Sequence, residues 1–192
     1  MAGRIMDKEQ QMAILNNKAA SIRLVALDVD GVLTDGCIHM GNEREAFKSF
    51  FAKDGLAISL ALRSGITVAI ITGRCSSILQ RRMAELGVRE ISEGVKDKGE
   101  AIRKLAKKYD MGLDEIAFMG DDLNDLPALV QAGLSAAPAD AVPEVRERAA
   151  LVTVAPGGRG AVRELLELIL KARDMWDLRI REYLEAGQGD RQ

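Results

Sequence analysis

The sequence predicts an α/β fold, a parallel sheet joined by crossover helices, with a β-hairpin inserted after the first strand. Three observations predict it. Short apolar runs rich in branched residues alternate with amphipathic helical stretches, the pattern of βαβ units. The residue types suited to chemistry fall just after those runs, where the strand ends of such a sheet converge. Between Asp35 and Asp54 the pattern changes, and Gly41-Asn42 separates two extended arms, which marks a hairpin.

The elements follow in order. Ile22, Leu24, Val25, Ala26 and Leu27 make residues 23–28 a strand suited to burial on both faces. The hairpin arms are 37–40 and 46–51. Further strands fall at 67–71, 90–92, 115–119, 134–136 and 151–153. Helices are predicted at 55–64, 76–86, 98–109, 125–132 and 142–148. A further helix spans 161–173, with Val162, Leu165, Leu166, Ile169 and Leu170 on one face. The apolar hairpin residues find no place in the main core, so the hairpin reads as an oligomer contact. The charged stretch 1–20 and the tail 177–192 are expected to be mobile or packed on a neighbour.

Composition narrows the function. At 192 residues, 47% apolar and with a net charge of −2, the chain suits one α/β domain rather than two. It carries no basic excess and few aromatics to recruit nucleic acid. Residues 1–20 lack the apolar core of a signal peptide, and no run approaches the roughly 20 apolar residues of a membrane span. Cys37 and Cys75 form no ligand motif, so a reducing, cytoplasmic setting is expected. The single histidine, His39, sits in the hairpin, which disfavours a histidine zinc site or a Ser-His-Asp triad.

Asp28-Val29-Asp30 closes the first strand. Two carboxylates at i and i+2 project to one side, and buried carboxylates require a proton, a cation or hydrogen bonds. Thr72-Gly73-Arg74 ends the next strand and opens a helix, where a Thr hydroxyl and backbone N–H groups at the helix start make a phosphate-sized anion site. Lys98 begins another helix. Gly120-Asp121-Asp122-Leu123-Asn124-Asp125 adds three carboxylates, and hard oxygen donors in that number favour Mg²⁺. Singly, each has an ordinary structural explanation; in this order, each after a strand, they point to one catalytic site.

These motifs resemble the haloacid dehalogenase superfamily of phosphotransferases. The resemblance spans residues 22–173 and implies a Rossmann-like, doubly wound domain. It implies that Asp28 is the nucleophile, forming an aspartyl-phosphate, and Asp30 the general acid and base. Thr72, Gly73 and Lys98 would hold the phosphoryl oxygens. Mg²⁺ would bind the Asp28 carboxylate, the Asp30 carbonyl and Asp121, with Asp122 and Asp125 in support.

Most members of that superfamily insert a cap domain; here the intervals hold only the hairpin and one helix, so the chain resembles the capless type. Leu33-Thr34-Asp35-Gly36, Met40-Gly41-Asn42, Arg82 and Gly157-Gly158-Arg159-Gly160 place it beside capless phosphatases of 3-deoxy-2-keto sugar acids. This implies an octulosonate 8-phosphate substrate, with a nonulosonate 9-phosphate as the alternative, and a role in supplying lipopolysaccharide sugar. It also implies a homotetramer built through the hairpin, in which neighbours complete each site. Lys53, Asp54, Gly55, Arg74 and Arg82 would contact the substrate. Members commonly carry Arg-Asp-Gly-x-Gly-Ile-Arg where this chain has Lys53-Asp54-Gly55-Leu56-Ala57-Ile58-Ser59. Lys53 keeps the charge without the planar fork, and Ser59 carries none. Two other classes compete, a phospho-Asp receiver module and a non-catalytic scaffold. In receivers the acidic pair precedes the phosphorylated Asp, whereas here it includes it.

Overall fold

Leu24–Leu27 (β1) is buried completely on both sides. Alternation sends Val25 and Leu27 into one apolar core and Leu24 and Ala26 into another. A strand buried on both faces requires helices on both, and the chain supplies them. A computed structural model describes residues 8–42 and 45–186. The outermost parts of both predicted terminal segments (1–7 and 187–192) and the hairpin's 43–44 lie outside the described residues.

Five strands join β1 in one parallel sheet: Thr67–Ile71 (β4), Glu90–Ser92 (β5), Ile116–Met119 (β6), Leu134–Ala137 (β7) and Leu151–Val152 (β8). Their order is β5-β4-β1-β6-β7-β8. His39–Met40 (β2) and Glu45–Phe47 (β3) pair antiparallel as the hairpin. In register, Leu27 lies between Ile70 of β4 and Met119 of β6. The three strands therefore end level, and Asp28, Thr72 and Gly120 leave the sheet side by side where the strand order reverses.

Lys8–Ser21 (α1), Ala52–Arg63 (α2), Ser77–Leu86 (α3) and Ala161–Ala172 (α7) cover the face of Val25 and Leu27. Lys98–Tyr109 (α4), Leu126–Leu129 (α5) and Pro143–Arg146 (α6) cover the other. Trp176–Ala186 (α8) forms the described part of the tail. It is tied to its own chain by Arg63–Glu182 at 2.7 Å and by Arg163 over the Trp176 ring.

The predicted strands and most helices lie where expected, with physical reasons for the exceptions. Helix α2 starts three residues before the predicted position, because Gly55 does not break it. A Cβ there would lie 2.5 Å from an Arg82 guanidinium nitrogen, so the helix uses the glycine for close packing. The predicted helix 125–132 is instead a 3₁₀ turn, Leu123–Asp125, followed by the single turn of α5. It stops early because Gly133 must pack on the Asp114 backbone and bond Leu113 before β7 begins. The second hairpin arm leaves the pairing after Phe47, where Lys48 turns inward.

Asp54 explains how α7 is held. Its buried carboxylate accepts N–H bonds from Gly160 (3.2 Å) and Arg163 (2.7 Å), satisfying two orphan donors at the α7 N-terminus from a different helix. We predict that Asp54→Ala lowers the unfolding free energy by about 2 kcal/mol. Urea denaturation checks this; a loss below about 0.5 kcal/mol would exclude a capping role.

Candidate active site

Asp28 leaves β1 as its N–H bonds Met119 O at 3.0 Å, which fixes it between β4 and β6. The Lys98 ammonium, on the first residue of α4, comes within 2.8 Å of Asp28 Oδ1 and 2.6 Å of Asp125 Oδ1. Lys98 and Asp125 are almost wholly buried. Burial works against the Lys98 charge, but the carboxylates of Asp28 and Asp125 outweigh it and hold the proton above the usual lysine range. Asp125 uses its second oxygen to accept the backbone N–H groups of Asp121 (2.9 Å) and Asp122 (3.2 Å). One residue thus fixes both the cation beside Asp28 and the loop that carries Asp121. Asp122 caps the 3₁₀ turn, accepting Leu123 N–H at 2.7 Å.

Asp30 lines the same cleft. Its carboxylate pairs with the Lys48 ammonium, which bonds Glu45 at 3.0 Å, and with Arg74 Nε at 3.5 Å. Thr72 is buried at the end of β4, and its hydroxyl accepts the Arg74 N–H at 3.3 Å. Asp28, Asp30, Thr72, Gly73, Arg74, Lys98, Asp121 and Asp122 line one cleft of about 260 Å³, with Gly36, Ile38 and Asn124 on its rim. No cap domain lies over it among the described residues.

The comparisons agree with this geometry. Residues 68–164 match the family model of haloacid dehalogenase-like hydrolases. The 3-deoxy-D-manno-octulosonate 8-phosphate phosphatase KdsC of Escherichia coli K12 is 47% identical over 160 residues, 83% of this chain and 85% of that one. The chain belongs to this family of haloacid dehalogenase-like hydrolases. Among solved structures, the Moraxella catarrhalis 3-deoxy-D-manno-octulosonate 8-phosphate phosphatase, in complex with magnesium, phosphate and KDO, matches with a TM-score of 0.86. It is 41% identical, covering 88% of this chain and 97% of that one. A cobalt-bound Haemophilus influenzae relative matches with a TM-score of 0.84 and 39% identity, covering 88% and 99%.

The remaining residues that the resemblance singled out lie elsewhere in the chain. Asp54, Gly55 and Arg82 line a separate constriction of about 10 Å³ between α2 and α3. Lys53 is exposed, 5.9 Å from the Phe51 ring centroid. Arg74 and Arg82 do not share a helix, because α3 begins at Ser77 with Ser76 as its cap, accepting Leu79 N–H at 3.2 Å. Thr72-Gly73 is therefore a strand-end loop and not a helix N-terminus. Sequence reading missed Lys48 and Glu45. Their only signal was an unexplained charge pair at the hairpin exit.

The cleft suits a hard divalent cation. Asp28, Asp121 and Asp125 place carboxylate oxygens within 4.8 Å of one another. Buried Asp28 Oδ1 is ion-paired with Lys98 at 2.8 Å and accepts no other hydrogen bond. Gly31 has φ +87°, and a Cβ there would lie 2.0 Å from Asp121 Oδ2. The glycine thus lets the Asp121 carboxylate close onto the turn after Asp28 and Asp30. With Asp125 already committed to Lys98 and backbone N–H groups, Asp28 and Asp121 are the free donors, an oxygen set suited to Mg²⁺.

Without a metal these carboxylates are poised to take protons. Burial first, then Asp125, pushes Asp28 up to about 6 against the pull of Lys98. Burial, then Asp28, Asp125 and Asp122, pushes Asp121 up to about 7. A raised carboxylate contributes stability that is complete below its unfolded value of 3.8 and is lost as pH rises through the folded value. We predict that the chelated protein melts lower at about pH 8 than at about pH 5.5. Mg²⁺, competing with those protons, should raise the melting temperature more at the higher pH. Scanning fluorimetry with Mg²⁺ or chelator checks this. An equal metal shift at both pH values would sink it.

Proposed function

We propose that this protein is a Mg²⁺-dependent phosphomonoesterase that hydrolyses 3-deoxy-D-manno-octulosonate 8-phosphate to the free sugar acid and phosphate. The observation that carries the proposal is the buried Asp28 carboxylate, which lines the cleft with the Lys98 ammonium 2.8 Å from its Oδ1 and the Asp121 carboxylate beside it. The named activity of the Escherichia coli relative, and the magnesium, phosphate and KDO of the Moraxella catarrhalis complex, support the substrate.

A carboxylate is a weak nucleophile and repels an anionic phosphate, so the attack needs positive charge near both. Lys98 supplies it from one side, held in place by Asp125. A metal on Asp28, Asp121 and the Asp30 carbonyl would add charge screening on the phosphoryl oxygens. The Thr72 hydroxyl accepts the Arg74 N–H and keeps its own proton to donate to a phosphoryl oxygen, with Gly73 beside it. As the phosphorus bond to Asp28 forms, the bond to the sugar oxygen breaks and that oxygen takes a proton from Asp30. Water then returns a proton to Asp30 as it attacks phosphorus and releases Asp28.

The cleft has no cap, so contacts to the sugar acid must come from its rim or from another subunit. We read Arg74 as the rim contact for the sugar carboxylate. We read the whole chain as one capless domain that assembles as a homotetramer in the cytoplasm. Met40 and Phe47 are 66% and 52% exposed on the hairpin, apolar area that a neighbour would cover. Exposed Lys53 and the adjoining Arg82 would then face a neighbour's cleft. The unpaired Cys37 and Cys75 suit a reducing compartment.

A phosphate-release panel tests the substrate. We predict that 3-deoxy-D-manno-octulosonate 8-phosphate exceeds hexose phosphates in kcat/KM, that a nonulosonate 9-phosphate ranks second, and that chelator abolishes turnover. Asp28→Asn should lower kcat at least about 10⁴-fold with the fold intact by circular dichroism. Hexose phosphates equal to sugar-acid phosphates would reject the substrate. For the assembly, Phe47→Glu should reduce the mass seen by light scattering; an unchanged mass would remove the hairpin from the interface.

A further inference from the structure

Beyond the residues that act on phosphorus, the cleft holds a second charge cluster. The Lys48 side chain is 2% exposed, and its ammonium touches both Asp30 and Glu45. Arg74 spans the same two carboxylates, at 3.5 Å from Asp30 and 3.9 Å from Glu45. Cation and anion alternate around a closed ring, Asp30–Lys48–Glu45–Arg74. Ser76 Oγ donates to Glu45 at 2.5 Å, and the Ser76 N–H bonds Glu93 at 2.7 Å, which anchors the ring to the start of α3.

A buried ammonium costs several kcal/mol unless it is paired, so a lysine placed there without a duty is improbable on energetic grounds. Its duty is not to hold phosphate, because Lys98 lines the cleft beside Asp28 and Lys48 does not line it. Lys48 reaches the side of Asp30 that faces the hairpin. A carboxylate at the end of a strand has free rotation about its χ angles. Two cations on its two oxygens, Lys48 on Oδ1 and Arg74 on Oδ2, remove that freedom.

We propose that Lys48, locked by Glu45, is a positioning residue that holds the Asp30 carboxyl group through Oδ1, so that Oδ2, which Arg74 approaches only to 3.5 Å, carries the proton to the leaving oxygen and takes one back from water. The hairpin would thereby be part of the proton-transfer machinery as well as an apolar surface. This rests on the reading of Asp30 as general acid and base.

The leaving group separates a proton-transfer role from a merely structural one. An alkyl leaving oxygen needs the Asp30 proton, whereas p-nitrophenolate departs without it. Return of Asp28 still needs Asp30 as base for either substrate. Lys48→Met should therefore lower kcat for the sugar phosphate about 100-fold. With p-nitrophenyl phosphate it should show a burst of one nitrophenolate per site, at a rate within about tenfold of wild type, followed by slow turnover. Lys48→Arg should recover most of the alkyl rate, and Glu45→Gln should give the same split with smaller amplitude. Asp30→Asn is the control and should show the full split. If Asp30→Asn keeps the nitrophenolate burst but Lys48→Met slows that burst as much as it slows the sugar phosphate, or raises KM alone, the positioning role is overturned. If Asp30→Asn itself shows no split, the general-acid reading fails and this inference fails with it. Should Lys48→Met not fold, Glu45→Gln decides: a split supports the ring and a uniform loss overturns it.

Discussion

The buried Lys98 ammonium is the contact on which the site depends. It lies between Asp28 and Asp125 at the junction of β1, α4 and the loop after β6. Breaking a buried pair by removing one partner costs about 3–5 kcal/mol, because the remaining charge is left in low dielectric. Asp125 extends this tie to the Asp121 loop through two backbone N–H groups. The spacing between nucleophile, cation and metal donors is therefore set by buried ion pairs and backbone hydrogen bonds that do not involve substrate. Catalysis by positioning and charge requires that order of events, since a flexible site would spend its interaction energy on reorganisation.

Two charge clusters meet at the cleft, and they are balanced differently. Around Asp28, three carboxylates meet one ammonium. Around Asp30, the carboxylates of Asp30 and Glu45 meet the cations of Lys48 and Arg74. The first cluster has an excess of negative charge that only protons or a divalent cation relieve, which is why Asp28 and Asp121 are pushed to about 6 and about 7. The second is neutral within itself and attracts no metal. A cation is thus directed to the nucleophile's side, while the acid and base side remains free for proton transfer.

Much of this was legible in sequence, for a physical reason. Residues whose place follows from the sheet, Asp28, Thr72, Lys98 and Asp121, each sit at a strand end or the next helix start, and periodicity finds those points. Lys48 and Glu45 do not. They reach the cleft because the hairpin folds back over the end of β1, a long-range approach that no local pattern encodes. Asp54 shows a tie that no local pattern encodes either: it belongs to a motif that the resemblance links to substrate, and its carboxylate accepts the N–H groups of Gly160 and Arg163, more than a hundred residues away. Element boundaries shifted where a glycine or a tight turn served packing, as at Gly55 and Gly133.

The lack of a cap ties these features together. A capped phosphatase excludes water and selects its substrate by closing a second domain, so the acid and base carboxylate can be ordered at the moment of closure. An open cleft has no such step. Its carboxyl group must be held in place beforehand by something permanent, and among the described residues its ion-pair partners come from the hairpin exit and the loop at Arg74. On the proposed role of Lys48, the inserted hairpin would supply that ordering locally, through its buried charge pairs.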